Sequence, residues 1–459
     1  LSDTPAPQLR DYQDQGVDWI IRRFQEDNKA VLLADEAGLG KTLQALQVAV
    51  DLTAASILVI CPAGARRVWL HEIIKWFPGW SRWVVLLEPG AKLRPERLAS
   101  ADPIFLIVGY DELSNSSSNV ASQLQGRSWD LLVIDEAHYL KNPSNRTYAV
   151  YGKRGSDEGV QSSAGKVLLM TGTPTPNHAG ELWQHYRTFW PGVFERRLSQ
   201  DQFEERFTRY RDTVFGRQVI GSKNQDALRQ ALGPVILRRR KDEVLDELPP
   251  LQLQDIPLAP VPHWRDRLSF ESRTVVAKLG WVESGDEHLL AAMRNPEAKV
   301  ATMRRELGEL KVPSTCLWVQ ERMESTEKLL IFAWHRSVIE ALREGLLEFN
   351  PEVVTGDTPP QARALAVETF QTDPQVGVFI GQILAAGTAI TLTAASEVAI
   401  VEPSWVPGEN VQAICRAHRL GQRDSVLASF LYLPNTLDER IMQVFRRKAS
   451  EIAELQGEK

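Results

Sequence analysis

The run Asp35-Glu36-Ala37-Gly38-Leu39-Gly40-Lys41-Thr42 has the residue types of a phosphate-binding loop. Its glycines let backbone N–H groups close around phosphate oxygens, Lys41 reaches the β/γ oxygens, and the Thr42 hydroxyl can ligate Mg²⁺. Asp35 stands where the general pattern G-x-x-x-x-G-K-[ST] has its first glycine. A Gly-Lys-Thr triplet is common by chance, so the loop needs a partner. Residues 131–142 supply one: an apolar run ends in Asp135-Glu136-Ala137-His138, where one carboxylate can hold a metal and the other orient a water. An Asp-Glu pair at a strand end is usually just solvated. The two segments in this order, each behind a predicted strand, favour nucleotide hydrolysis.

A second set lies far along the chain. Residues 409–420 contain no breaker and are bounded by Gly408 and Gly421, which predicts a helix with Gly421 as its left-handed cap. On that helix Gln412, Arg416 and Arg419 fall at i, i+4 and i+7, while Val411, Ile414 and Cys415 turn into the core. A solvated basic stripe is the bland reading. The position after a second α/β segment suits arginine fingers reaching a γ-phosphate, an effect worth about 10³–10⁵ in rate.

Short apolar runs alternating with helical stretches must position these groups, and they argue for parallel sheets with helices on both faces. Strands are expected at 31–34, 57–60, 104–108, 131–134 and 167–170, each followed by a polar or Gly/Pro-bearing turn. Ligand sites in such sheets lie at the carboxyl ends of the strands, which places the loop and the acidic pair on one rim. From about residue 175 to 325 the strand rhythm gives way to a helical region rich in Arg, Glu and aromatics. It returns at 329–333, 376–380, 397–401 and 426–433, ahead of a helix-like terminal segment at 437–455. The expected fold is α/β: two sheet-based lobes with helical insertions, spanning 1–245 and 246–459.

At 459 residues, 43% apolar and 24% charged, the composition is that of a globular protein with two or three domains. No apolar run reaches the roughly 18 residues of a membrane span, and residues 1–30 lack a signal-peptide pattern. The opening Leu1 suggests that flanking domains are missing. Cys61, Cys316 and Cys415 are too far apart for a metal knuckle and read as buried reduced thiols. That implies an intracellular protein, nuclear in a eukaryote and cytoplasmic in a bacterium or virus. With a net charge of −6, nucleic-acid binding would require a local basic groove.

The chain resembles the ATPase motor of the Swi/Snf-type, superfamily-two DNA translocases. Matching segments run from Leu9-Arg10-Asp11-Tyr12-Gln13 through Asp35–Thr42, Pro62 to Trp69, Asp135–His138, Thr171-Gly172-Thr173-Pro174, Leu237-Arg238-Arg239-Arg240-Lys241, Ile331-Phe332-Ala333 and Gly387 to Ala395, ending at His418-Arg419-Leu420-Gly421-Gln422. The family's loop carries Asp where Asp35 stands.

The resemblance implies two RecA-like lobes, ATP and Mg²⁺ as cofactors, and duplex or forked DNA bound without sequence preference by a monomer. It implies that Gln13 reads the adenine and that Asp35, Gly38, Leu39, Gly40, Lys41, Thr42 and Gly387 line the nucleotide. Asp135 and Glu136 would bind metal and activate water, Gln412, Arg416 and Arg419 would complete the site, and Thr171 and Thr173 would couple it to DNA. Ala385-Ala386, Thr391 and Pro407-Gly408 are most similar to the fork-remodelling, strand-annealing (HepA-related) branch. Cys415, Ala389 and Leu251 depart from the family's usual acidic, Gly and basic residues.

The remaining conspicuous residues have competing readings. His138 either touches the γ-phosphate or caps a strand end. Most of the 13 tryptophans, including Trp19, Trp76, Trp183 and Trp318, read as core packing, whereas Trp69 is the better DNA-side candidate. Arg238, Arg239 and Arg240 are expected to face DNA, as are His335 and Arg336, which sit where the family touches the phosphodiester backbone. Alternatives to a duplex translocase are a nucleosome remodeller motor, an unwinding RNA or DNA helicase, and a nucleic-acid clamp with a vestigial ATP site.

Overall fold

The computed structural model describes residues 8–446, apart from 89, 101, 115–118, 154–158, 176–177, 214–215, 246–247, 260–262, 270–271, 273–299, 384–389, 440 and 444–445. It divides near residue 246 into two compact units, each built on its own parallel sheet. The α/β reading with two parallel-sheet lobes is therefore the fold of the chain.

In the first unit seven strands lie edge to edge in the order Val84–Leu86, Ile104–Gly109, Ser56–Cys61, Trp129–Asp135, Ala164–Met170, Ala30–Leu33 and Ile236–Leu237. Every neighbouring pair is parallel. The central runs are buried along their whole length, as in Ser56–Cys61 and Ile104–Gly109, because helices cover both faces. Alternation then feeds two cores from one strand: Leu58 and Ile60 enter one, and Ile57, Val59 and Cys61 the other. The strand before the acidic pair is separated from the strand before the phosphate loop by Ala164–Met170 alone. All three loops emerge at one edge.

The stretch from 175 to 325 is less uniformly helical than its composition predicts. Helices do span Trp183–Phe189, Gln200–Phe207, Gln225–Leu232 and Val300–Met323. However, Thr208–Thr213 and Gly216–Ser222 form an antiparallel hairpin, and Leu251–Pro257 is an edge strand of the second sheet. Both are polar, and neither carries the apolar run that marks a central strand. Among the described residues of this region, Trp183, Tyr186, Phe194, Phe203 and Phe207 pack on one another, with Tyr186 and Phe203 stacked at 5.0 Å between ring centres.

The second unit's six strands run Leu251–Pro257, Val426–Tyr432, Glu397–Ile400, Leu329–Ala333, Val378–Gln382 and Glu352–Val354, again all parallel. Lys311, on the long helix Val300–Met323, is fully buried against this sheet. Its ammonium donates to the Asp438 carboxylate at 2.7 Å, to the Leu431 carbonyl at 3.3 Å and to the Val401 carbonyl. One cation thus ties the helix to two strand ends and to the start of the terminal segment. Lys311→Met leaves Asp438 buried and uncompensated, so chemical denaturation should show the second unit losing about 3–5 kcal/mol. The double change Lys311→Met with Asp438→Leu should recover most of that loss.

Candidate nucleotide-binding and hydrolysis site

The phosphate loop leaves the buried strand Ala30–Leu33 and enters the helix Lys41–Asp51 through two left-handed glycines, Gly38 (φ 95°) and Gly40 (φ 74°). The left-handed backbone favours glycine at Gly40, and a Cβ there would also lie 2.4 Å from the Gln13 amide and displace it. The helix start turns unsatisfied N–H groups and the positive end of the helix dipole toward the loop. The Lys41 ammonium donates to the carbonyls of Asp35 at 2.7 Å and Glu36 at 3.2 Å. Burial lowers its pKa, against the opposing charges of Glu136, Asp35 and Asp135. Gln13 is buried beside the loop: its amide donates to the Leu39 carbonyl at 3.3 Å, and its oxygen accepts the Arg10 N–H at 3.1 Å.

Asp35 is fully buried. Arg239 binds both of its oxygens, with Nε 3.0 Å from Oδ1 and the second contact made by Nη2. Arg239 also donates to Gln44 at 2.9 Å and to the Tyr12 carbonyl, and the Gln44 amide donates to Asp35 at 3.2 Å. Gly16 makes room, since a Cβ there would sit 2.2 Å from Gln44 Oε1. The departure at Asp35 is thus the counterion of an arginine, and Arg239, expected to face DNA, is engaged behind the loop.

Arg238 likewise turns inward, donating to the carbonyls of Ala34 at 3.1 Å and Gly172 at 3.3 Å. The Lys241 N–H donates to Glu36 at 2.9 Å. Arg240 points outward but pairs with Asp242, with Glu243 at 3.8 Å. The cause is placement: these residues follow the edge strand Ile236–Leu237, which lies directly beside Ala30–Leu33.

The acidic pair sits at the end of Trp129–Asp135. Asp135 Oδ1 accepts the Glu136 N–H at 3.0 Å, Oδ2 accepts the Trp69 indole N–H at 2.9 Å, and the Asp135 carbonyl accepts the Tyr110 hydroxyl at 2.7 Å. Trp69, expected to face DNA, is instead 1% exposed. It lies on the inward face of the helix Arg66–Trp76. Glu136 adopts a left-handed backbone (φ 49°, ψ 52°) that a non-glycine residue holds only when its surroundings enforce it.

Here the enforcing groups are visible. Thr171 Oγ1 donates to Glu136 Oε2 at 3.2 Å, His138 Nδ1 lies 3.2 Å from the same oxygen, and the ring nitrogen and Thr171 hydroxyl are 2.9 Å apart. The Thr173 N–H donates to Thr171 Oγ1 at 3.1 Å, so both threonines join this network. Burial, reinforced by the Glu136 charge, raises the Asp135 pKa. Burial also pushes Glu136 upward, but the hydrogen bond and charge of His138, with Lys41 and Thr171, outweigh it and hold Glu136 low.

In the second unit the helix predicted for 409–420 spans Pro407–Ile414. Gln412 lies on it, whereas Arg416 and Arg419 lie in the turns that follow, so the three do not form one helical stripe. Past Ile414 the backbone tightens: the N–H groups of Arg416 and Ala417 donate three residues back, to the carbonyls of Ala413 at 3.1 Å and Ile414 at 3.0 Å, and the Arg416 carbonyl accepts the Leu392 N–H at 2.9 Å. Arg419 donates to the Ile390 carbonyl at 3.2 Å, and Gln422 to that of Ala395 at 2.8 Å. Gly421 has the expected left-handed backbone (φ 98°), but beyond the helix end. Val411, expected in the core, is exposed.

His335, expected at DNA, holds the N-cap position of the helix Arg336–Gly345, and its ring lies on the buried Glu402 at 2.6 Å. Arg336 is exposed and pairs with Asp357. Gly387 falls outside the described residues.

Residues 12–265 match the SNF2-related domain, and 311–421 match the helicase conserved C-terminal domain. The chain belongs to the SNF2-related family. It is 28% identical over 465 residues to a Bos taurus protein named DNA annealing helicase and endonuclease ZRANB3, covering 98% of this chain and 40% of the relative. It is 27% identical over 454 residues to the Xenopus tropicalis SWI/SNF-related matrix-associated actin-dependent regulator of chromatin subfamily A-like protein 1, covering 96% of this chain and 44% of that one. The chain therefore spans less than half the length of these relatives. A solved Sulfolobus solfataricus SWI2/SNF2 ATPase core in complex with dsDNA is 24% identical, with a TM-score of 0.44, covering 98% of this chain and 92% of that one.

The SNF2-related site has a donor set suited to Mg²⁺ rather than to a closed metal cage. Among the described residues no group of three or more His, Cys, Asp or Glu side chains could hold a metal. Two adjacent carboxylates and the Thr42 hydroxyl fit the habit of Mg²⁺, which takes one or two carboxylates and completes its shell with phosphate and water. Sequence reasoning gave no role to Tyr12, Gly16, Gln44 or Tyr110: Tyr12 lies in a family-matching segment but is not singled out there, and the other three belong to no recognisable chemical pattern. Arg239→Met should lower nucleotide affinity at least about tenfold by releasing a buried carboxylate behind the loop. Titration with a fluorescent ADP analogue checks this. Duplex-DNA affinity should keep its salt dependence, which a phosphate-contacting arginine would change.

Proposed function

We propose that this chain is the motor of an ATP-dependent double-stranded-DNA translocase, with fork remodelling or strand annealing as its work. The carrying observation is the phosphate loop and the Asp135–Glu136–His138–Thr171 network on one rim of the first sheet, within an SNF2-related domain. Lys41 and the loop amides bind the phosphates, and Gln13 orients the base. Thr42 and Asp135 would hold Mg²⁺, which supplies charge neutralisation at the phosphates. Glu136, kept ionised by His138 and Thr171, orients the attacking water and accepts its proton at the carboxylate. Thr171 and Thr173 are placed to report the state of that carboxylate to the rest of the rim.

Gln412, Arg416 and Arg419 would complete the site from the second unit. The name of the Bos taurus relative supports the annealing reading, as do the roughly 150 residues between Thr173 and Lys328, a short insertion for a nucleosome remodeller. Of the side chains expected at DNA, Arg336 keeps an exposed cation, and the backbone amides near Pro62 and Gly109 are further phosphate donors.

One ATPase assay with no nucleic acid, duplex, single-stranded and forked DNA, and RNA tests the proposal. Duplex or forked DNA should stimulate turnover most. Equal turnover with and without duplex would overturn it, and a preference for RNA would point to an unwinding helicase. Arg416→Ala and Arg419→Ala should each cut kcat by about 10³-fold or more and leave nucleotide affinity near wild type, because they act on charge developing in the transition state. Stopped-flow binding alongside steady-state turnover separates the two effects.

Duplex affinity should be independent of sequence and fall steeply with salt. Arg336→Ala should reduce the slope of log K against log salt by about 1, as loss of a single phosphate contact requires. A salt series on two unrelated duplexes measures both.

A further inference from the structure

We propose that Trp69 is a positioning residue for the metal-binding carboxylate of Asp135, a role that rests on the functional reading above. The indole N–H can only donate, and at 1% exposure it is shut off from bulk solvent. Its acceptor is Asp135 Oδ2 at 2.9 Å. The other oxygen accepts the Glu136 N–H at 3.0 Å, and the residue's carbonyl accepts the Tyr110 hydroxyl at 2.7 Å. The carboxylate is therefore held at both oxygens, each keeping lone pairs for a further ligand.

The choice of donor matters. A guanidinium or ammonium in Trp69's place would hold the carboxylate equally well, but its charge would compete with a divalent cation. A neutral indole fixes the orientation and leaves the negative charge for the metal. Core packing alone would ask for a large ring and not for an N–H. The bond also has a rigid mount, because the helix Arg66–Trp76 is fastened by Arg66 to Glu112 at 2.8 Å and to the Leu87 carbonyl at 3.0 Å.

Groups that orient metal ligands typically cost about 10–100-fold in metal affinity or activity when removed. The test uses Mn²⁺ as the probe, followed by electron paramagnetic resonance on the full chain with ADP bound. Trp69→Phe should weaken Mn²⁺ binding by about 10–100-fold, leave ADP affinity in EDTA unchanged, and regain part of its turnover at high Mg²⁺. Trp80→Phe is the control. Trp80 belongs to the same core and stacks on Phe77 at 4.7 Å, so its loss costs packing and should leave Mn²⁺ affinity unchanged.

Wild-type Mn²⁺ affinity in Trp69→Phe, or an equal loss in Trp80→Phe, overturns the proposal. If the phenylalanine variant does not fold, β-(benzothiophen-3-yl)alanine at position 69 keeps the ring shape without the N–H, and the same two outcomes decide. Asp135→Asn separates the levels of failure. If it abolishes Mn²⁺ binding while Trp69→Phe does not, only the positioning role falls. If it too leaves Mn²⁺ binding intact, the metal-site reading itself falls.

Discussion

Two carboxylates in adjacent positions at the end of a central, buried strand are the constraint around which the first unit is arranged. Asp135 and Glu136 repel each other in a low-dielectric setting, and burial alone would push both toward the neutral form. The fold answers with different partners for each. Asp135 receives neutral donors from Trp69 and from the main chain, and Glu136 receives His138 and Thr171. The left-handed backbone at Glu136 turns the second side chain away from the first, toward the loop that follows Ala164–Met170. Environments that drive paired acids apart give each a distinct task.

The parallel sheet makes this arrangement possible. Neighbouring strands deliver their following loops to the same edge, so the phosphate loop, the acidic pair and the Thr171 turn meet without any of them being close in sequence. A fourth strand, Ile236–Leu237, brings Arg238–Lys241 to the back of the phosphate loop. Asp35 makes sense only there. Its carboxylate is buried and bound at both oxygens by Arg239, which clamps the loop to the Tyr12–Gln13 segment through Tyr12 and Gln44. The start of the loop, the element expected to read the base and the segment leading toward the second unit are thus joined in one hydrogen-bonded cluster.

What the chain announces in advance follows from how local each signal is. Strands buried on both faces are legible as unbroken apolar runs, so 57–60, 131–134 and 329–333 fall inside or on observed strands. Edge strands are not: Val84–Leu86 and Ile236–Leu237 are too short, and Gln252, Gln254 and Asp255 interrupt the apolar residues of Leu251–Pro257. The helix expected to run to residue 420 illustrates a different failure. No breaker marks Ile414 as its end, yet there the backbone tightens into turns that bond three residues back, and the Arg416 carbonyl is taken up by Leu392 from another segment.

Residue types and spacing were enough to place the chain in its family and to mark the proposed phosphate loop and acidic pair, because each is a contiguous pattern whose chemistry is carried by the residues themselves. Direction is another matter. Trp69 and Arg239 read as groups facing DNA, and both turn inward, onto Asp135 across 66 positions and onto Asp35 across 204. A cation or an indole states what it can bond, not where it points. A hydrogen bond has to be met to within a few tenths of an ångström, and only the path of the whole chain through the sheet brings such distant groups to that distance.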